Sequence, residues 1–256
     1  YKGEQFIAVA CGGNFQLNSC TVTGPVNGTN TGGTFQSTGS MTVPASTTTQ
    51  LNVTGSGFTV NSNLVINTAS GLLRNNNVAN VTAGDKTFTG DITNSVGATW
   101  TEDGSGWTRV LNSNDFLNQG TLNLPGGLNW NQNSGTNTLT NTGTINKTSG
   151  GTFTANNISS VTNNGTIAIA SGGGTFQATS TAYSGTGTAT VVSGGLMRLN
   201  SCTITGPING VTSGTGGFDS IGTLTVGAGG ASLNVTGNGF TLNGSKAGTP
   251  MLTNNA

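Results

Sequence analysis

Apolar residues in this chain alternate one for one with threonine, asparagine and serine, in short runs such as Thr121-Leu-Asn-Leu124, Gly143-Thr-Ile-Asn146 and Gly165-Thr-Ile-Ala-Ile169. A period of two puts every second side chain on the same face of an extended backbone, and Gly or Asn at both ends of each run marks a turn. The pattern therefore predicts many short β-strands, each with one apolar face, and essentially no α-helix.

The runs recur. Asn118-Gln-Gly-Thr-Leu, Asn141-Thr-Gly-Thr-Ile and Asn163-Asn-Gly-Thr-Ile start 23 and 22 residues apart, with a weaker Gly185-Thr-Gly-Thr-Ala after them. A partner motif keeps step: Gly126-Gly-Leu-Asn-Trp130, Gly150-Gly-Thr-Phe153, Gly173-Gly-Thr-Phe176 and Gly194-Gly-Leu-Met197. A unit of about 22 residues with three strands and three Gly or Asn corners is one coil of a parallel β-solenoid. The expected fold is all-β: a three-sided β-helix of about 20–24 residues per coil that runs through 1–256 as one continuous body. At this period the chain makes about 11 or 12 coils, and a strand spacing of about 4.8 Å gives a stack on the order of 50–60 Å long. Phe153, Phe176 and Met197 are expected to lie above one another. The five prolines (Pro25, Pro44, Pro125, Pro207, Pro250) sit beside turn residues or at strand edges, where they need not interrupt a ladder.

A much longer period overlies the short one. Leu17-Asn-Ser-Cys-Thr-Val-Thr-Gly-Pro-Val-Asn-Gly28 returns as Leu199-Asn-Ser-Cys-Thr-Ile-Thr-Gly-Pro-Ile-Asn-Gly210, and Leu51-Asn-Val-Thr-Gly-Ser-Gly-Phe58 as Leu233-Asn-Val-Thr-Gly-Asn-Gly-Phe240. Residues 1–74 thus match 183–256 at an offset of 182 (183 − 1 = 182). One unit followed by part of a second reads as a tandem array, and the expectation is that the chain belongs to a longer polypeptide.

Composition narrows the function. Only 5% of residues are charged, with seven Lys plus Arg and seven Asp plus Glu, a formal net charge of zero, no His and 44 glycines. The basic residues lie far apart, so the clustered cations that bind nucleic acid or anionic lipid are missing, and no apolar run is long enough to span a bilayer as a helix. The segment Phe6-Ile-Ala-Val-Ala-Cys11 aligns with Thr188–Ser193 in the long repeat and reads as a strand. Low charge with abundant Gly and Ser also suits disorder, but the alternating apolar runs argue against it. Cys11, Cys20 and Cys202 have no metal-ligand spacing. Small buried thiols, a Cys11–Cys20 bridge and an intermolecular bond all remain open.

Candidate chemistry is sparse. Without His the usual hydrolase triads are excluded, and Gly-x-Gly strings are expected by chance in so glycine-rich a chain. No catalytic role, cofactor or metal is expected. Gly214-Thr-Gly-Gly-Phe-Asp219 approaches a calcium-binding β-roll motif but occurs once. The one dense polar patch holds Trp100, Glu102, Asp103, Trp107 and Arg109. Adjacent carboxylates on a strand point to opposite faces, which is poor geometry for a cooperating pair, whereas flanking indoles suit a contact with glycan or another subunit. Thr-x-Thr triplets at 21, 87, 138, 152 and 203 raise the idea of an ice-binding ladder; their irregular starts and the large apolar residues between them argue for threonines scattered on outer faces.

The Asn-x-Gly-Thr-Ile and Gly-Gly-x-Phe alternation resembles the passenger segments of autotransporters and the filamentous-haemagglutinin-like adhesins. The resemblance implies a long parallel β-helix, secretion and an adhesive role; no functional residues carry over from it. The expected function is a structural or adhesive segment of an extracellular or cell-surface filament, with end-to-end continuation of copies and contacts to surface glycans or neighbouring cells. The alternatives are a polysaccharide-binding or polysaccharide-cleaving β-helix of the tailspike or lyase kind and, after it, an ice-binding solenoid.

Overall fold

The computed structural model describes residues 1, 6–66, 71–103, 106–249 and 251–255. Lys2, Gly3, Glu4 and Pro250 lie outside the described residues. The chain is a parallel β-solenoid of about 11 turns, all-β, with no helix among the described residues. Every strand pairing is parallel, and partners lie about one turn apart, as in Thr166↔Thr188 and Thr144↔Thr166. Three faces form the prism. Face one carries Leu72–Asn75, Asp91–Asn94, Asp115–Asn118, Thr138–Asn141 and Ser160–Asn163, among others. Face two carries Val78–Val81, Thr99–Glu102, Thr121–Leu124, Thr144–Lys147, Thr166–Ile169 and Thr188–Val191. Face three carries Lys86–Thr89, Trp107–Asn112, Leu128–Ser134, Thr152–Asn156, Gly174–Thr179 and Gly195–Asn200.

Alternate residues of each strand point inward, and the inward residues stack coil upon coil. Phe153 pairs in register with Phe176 and Phe176 with Met197, as the sequence pattern requires. The rings of Phe153 and Phe176 lie 5.0 Å apart, and aromatic contacts continue through Trp130 to Phe116 and Trp100. On face two the matching inner column is Trp100, Leu122, Ile145, Ile167 and Ala189, all fully buried. Burial of this continuous column is the main favourable term in a stack whose coils touch only their neighbours.

Corners are made by two devices. Between faces one and two, glycine sits where coils approach too closely for a side chain: a Cβ on Gly143 would lie 2.1 Å from the Gly120 carbonyl oxygen. Between faces three and one the backbone passes through the left-handed region at Ser113, Asn157, Ser180 and Ser201, with φ between 46° and 53°. The amide of each of these residues donates to a carbonyl one turn on, which offsets the conformational cost.

The long repeat is out of phase with the prism. Val26–Asn30 and Thr48–Gly55 belong to face one, the stack that continues into Leu72–Asn75. Their sequence copies, Ile208–Thr212 and Ala231–Thr236, lie on face two, following Thr188–Val191. Phe58–Ile66, a long strand that bends around a corner, keeps the same one-face offset from its copy, which falls in Thr241–Leu242 and Ser245–Ala247. It pairs with Val78–Val81 through Phe58–Val60 and with Lys86–Thr89 through Leu64 and Val65. From Val26–Asn30, eight steps along face one lead to Thr203–Ile204, and Ile208–Thr212 is the next strand. The 182-residue unit is therefore eight turns plus one face, so each copy presents the same sequence a third of a turn further round.

Candidate functional site

The patch singled out from the sequence is split by the fold. Thr99–Glu102 alternates outward and inward, so Trp100 and Glu102 enter the core while Asp103 stays exposed. Trp107 opens the next strand and is 38% exposed; Arg109, two residues on, is fully buried. Glu102 accepts from Trp100 Nε1 at 2.8 Å and from Arg109 Nε at 2.7 Å. Arg109 also donates to the carbonyls of Gly84 and Thr82. Both charged side chains are 0% exposed. Trp100, Glu102 and Arg109 therefore form an internal polar clasp, and only Asp103 and Trp107 of the five are open to a partner.

Lys86 is the register neighbour of Arg109 and is also buried, donating to the Ala83 carbonyl at 3.0 Å. Burial, and next the Arg109 charge, hold its pKa below the ordinary lysine value. Lys147 occupies the same strand position as Glu102 and Leu124 in its own coil, is fully buried, and donates to the carbonyls of Ser149 and Gly150. Burial lowers its pKa as well. The signal for two of the inward charges, Glu102 and Lys147, was in the sequence: Thr-Trp-Thr-Glu, Thr-Leu-Asn-Leu and Thr-Ile-Asn-Lys place their fourth residue at one corner.

The cysteines are free: Cys11 is exposed, Cys20 half-buried and Cys202 buried, with its thiol pKa raised by burial. Asp219, the last residue of the calcium-like motif, receives two hydrogen bonds from Arg198 on the preceding coil, at 2.9 and 2.8 Å.

The most regular surface is the outside of face two. Thr99, Thr121, Thr144, Thr166 and Thr188 follow one another in unbroken register over five coils. Their side chains project outward with intermediate exposure. Two residues along each strand runs a second column of Thr101, Asn123, Asn146, Ala168 and Thr190. None of the five first-column hydroxyls has a protein hydrogen-bond partner among the described residues. The triplets picked from the sequence miss this ladder. Thr138-Leu-Thr140 lies on face one and Thr152-Phe-Thr154 on face three, so their irregular starts reflect different faces. The signal that finds the ladder is the Thr of the Asn-x-Gly-Thr motif, whose companion position tolerates Asn and Ala.

The same motif anchors the ladder from inside. Asn75, Asn94, Asn118, Asn141 and Asn163 form a buried column at the corner before face two. The side-chain amides of the first four each donate to Oδ1 of the next at 2.7–2.9 Å. They also donate to the backbone carbonyls of Thr99, Thr121, Thr144 and Thr166 at 2.8–3.1 Å. The first four outward threonines thus stand on a backbone tied to the core.

No protein-family model, curated protein or solved structure matches this chain.

Proposed function

We propose that the chain is a structural and adhesive segment of an extracellular, repetitive surface protein or filament. It works without catalysis, through its length and the faces it presents. The observation that carries this reading is the placement of the long repeat: two copies of one sequence continue a single stack without a break. Each copy also brings its own outer asparagine ladder, Asn52 to Asn27 at 2.7 Å in the first and Asn234 to Asn209 at 2.7 Å in the second. A unit that regenerates its own stacking contacts is suited to extension by duplication. The neutral, hydroxyl-rich and amide-rich surface fits contact with other copies end to end and with glycans on neighbouring cells.

The test is immunogold labelling of intact cells that make the parent polypeptide, followed by electron microscopy of the released material. The reading expects label outside the cell, on rods or fibres. Label confined to the interior, or discrete compact particles that process a polysaccharide, would contradict it.

A further inference from the structure

We propose that the threonine face of the solenoid binds ice, an activity beyond the structural and adhesive reading. Along face two, first-column threonines repeat at about the 4.8 Å strand spacing, and the two columns lie about 6.6 Å apart, two residues of extended chain. A surface that repeats in two directions over several coils is matched best by a ligand that repeats in two directions as well, which points to a solid.

Chemistry then selects among solids. On the six strands from Val78–Val81 to Thr188–Val191, the outward residues are Thr, Asn, Val and Ala, with no charged and no aromatic side chain. Mineral surfaces and anionic polymers need charge, and sugar rings in crystalline polysaccharides stack best on flat aromatic side chains. A water lattice is neutral, and each surface molecule can donate and accept, as a threonine hydroxyl can. The five hydroxyls are unclaimed by the protein, and the methyl groups beside them are fixed by the stiff χ1 of a β-branched residue.

Rigidity completes the case. Holding surface water in place costs up to about 2 kcal/mol per molecule, a cost reduced when the groups that order it are already fixed. Here the backbone carbonyls of Thr99, Thr121, Thr144 and Thr166 are each held by the buried asparagine ladder. Gly120, Gly143 and Gly165 at the corner let adjacent coils approach to backbone contact beside the first column, and the exposed residues next to them, Gln119, Thr142 and Asn164, are uncharged.

The experiment uses the whole chain with a fluorescent label, measured for adsorption to a growing ice crystal and for thermal hysteresis. Thr144→Lys at the centre of the ladder and Asn146→Lys in the second column are compared with Thr154→Lys on face three, each checked for a wild-type circular dichroism spectrum. The expected result is that wild type and Thr154→Lys bind ice and depress its growth. Each face-two variant loses about tenfold in hysteresis activity, the size expected for disrupting a central contact. Wild type that leaves ice unbound, or face-two variants that match wild type, would overturn the proposal. A parallel pull-down on microcrystalline cellulose completes the test: retention there, lost in Thr144→Lys and unaccompanied by ice adsorption, would also overturn it and assign the face to a crystalline glycan.

Discussion

The side-chain amide of Asn118 donates to Oδ1 of Asn141, one coil further on, at 2.7 Å, with both residues buried. Its other contact is the carbonyl of Thr144 at 3.0 Å. One residue type thus links two coils through their side chains and also fixes the strand that follows. A buried amide satisfied on all sides is stable, whereas one deprived of its partner loses the full cost of desolvation.

Replacing Asn118 by Ala strips an acceptor from Asn94 and a donor from Asn141 and from the Thr144 carbonyl. The expected destabilisation is about 1–3 kcal/mol for each buried group left without a partner. Chemical denaturation of Asn118→Ala against Thr140→Ala, an outward change on face one, measures it. Equal stabilities would mean that the ladder contributes nothing.

The Glu102–Arg109 clasp predicts an asymmetric double-mutant cycle. Glu102→Leu or Arg109→Met alone leaves one charge inside the solenoid and is expected to cost about 3–5 kcal/mol. Converting both to apolar residues, as in Glu102→Leu with Arg109→Met, is expected to recover most of that loss. Urea melts of the four proteins give the coupling; additive losses would count against a mutually satisfied buried pair.

Lys147 sets an alkaline pH dependence. Its folded pKa lies below the ordinary lysine value of 10.5 because burial disfavours the ammonium form. Between the folded pKa and 10.5 the unfolded chain binds more protons, so this residue's contribution makes stability rise with pH across that window. Tyr183 and Cys202 act in the opposite sense, because burial raises their pKa values. Comparison with Lys147→Met isolates the lysine. The stability of the variant relative to wild type is expected to decrease as pH climbs toward 10.5, and a constant difference would show that the ammonium group is not penalised.

Turns should be removable only whole. Deleting residues 121–143 joins Gly120 to Thr144 and keeps every inner column continuous, because Thr121 and Thr144 are register partners. The shortened chain is expected to melt cooperatively and to lose about one strand spacing, 4.8 Å, of length. Deleting only 121–131 misaligns inward and outward residues and is expected to abolish the cooperative transition in circular dichroism.

The coil was legible from the sequence because Asn118, Asn141 and Asn163 keep their motif intact, so the period of about 22 residues stands out. Asn75 and Asn94 belong to the same ladder but were hidden, since Asn94 is followed by a longer corner, Ser95-Val-Gly-Ala98, before its threonine. The candidate patch was half legible. Alternation correctly separates Glu102 from Asp103, yet proximity in sequence grouped buried Trp100 and Arg109 with exposed Trp107, although successive strands differ in which residues face inward. The third-of-a-turn offset of the long repeat was not legible at all. It depends on the summed lengths of the individual turns, which make 182 residues eight turns plus one face, and similarity between two segments carries no information about which face each occupies.

The most direct test of the account is the length of the molecule as a function of repeat number. Small-angle X-ray scattering on chains carrying one, two and three copies of the 182-residue unit should show a constant cross-section. Maximum dimension should grow by about 40 Å per copy, eight turns and a third at the strand spacing. A cross-section that grows while the length stays fixed would contradict a single continuous solenoid.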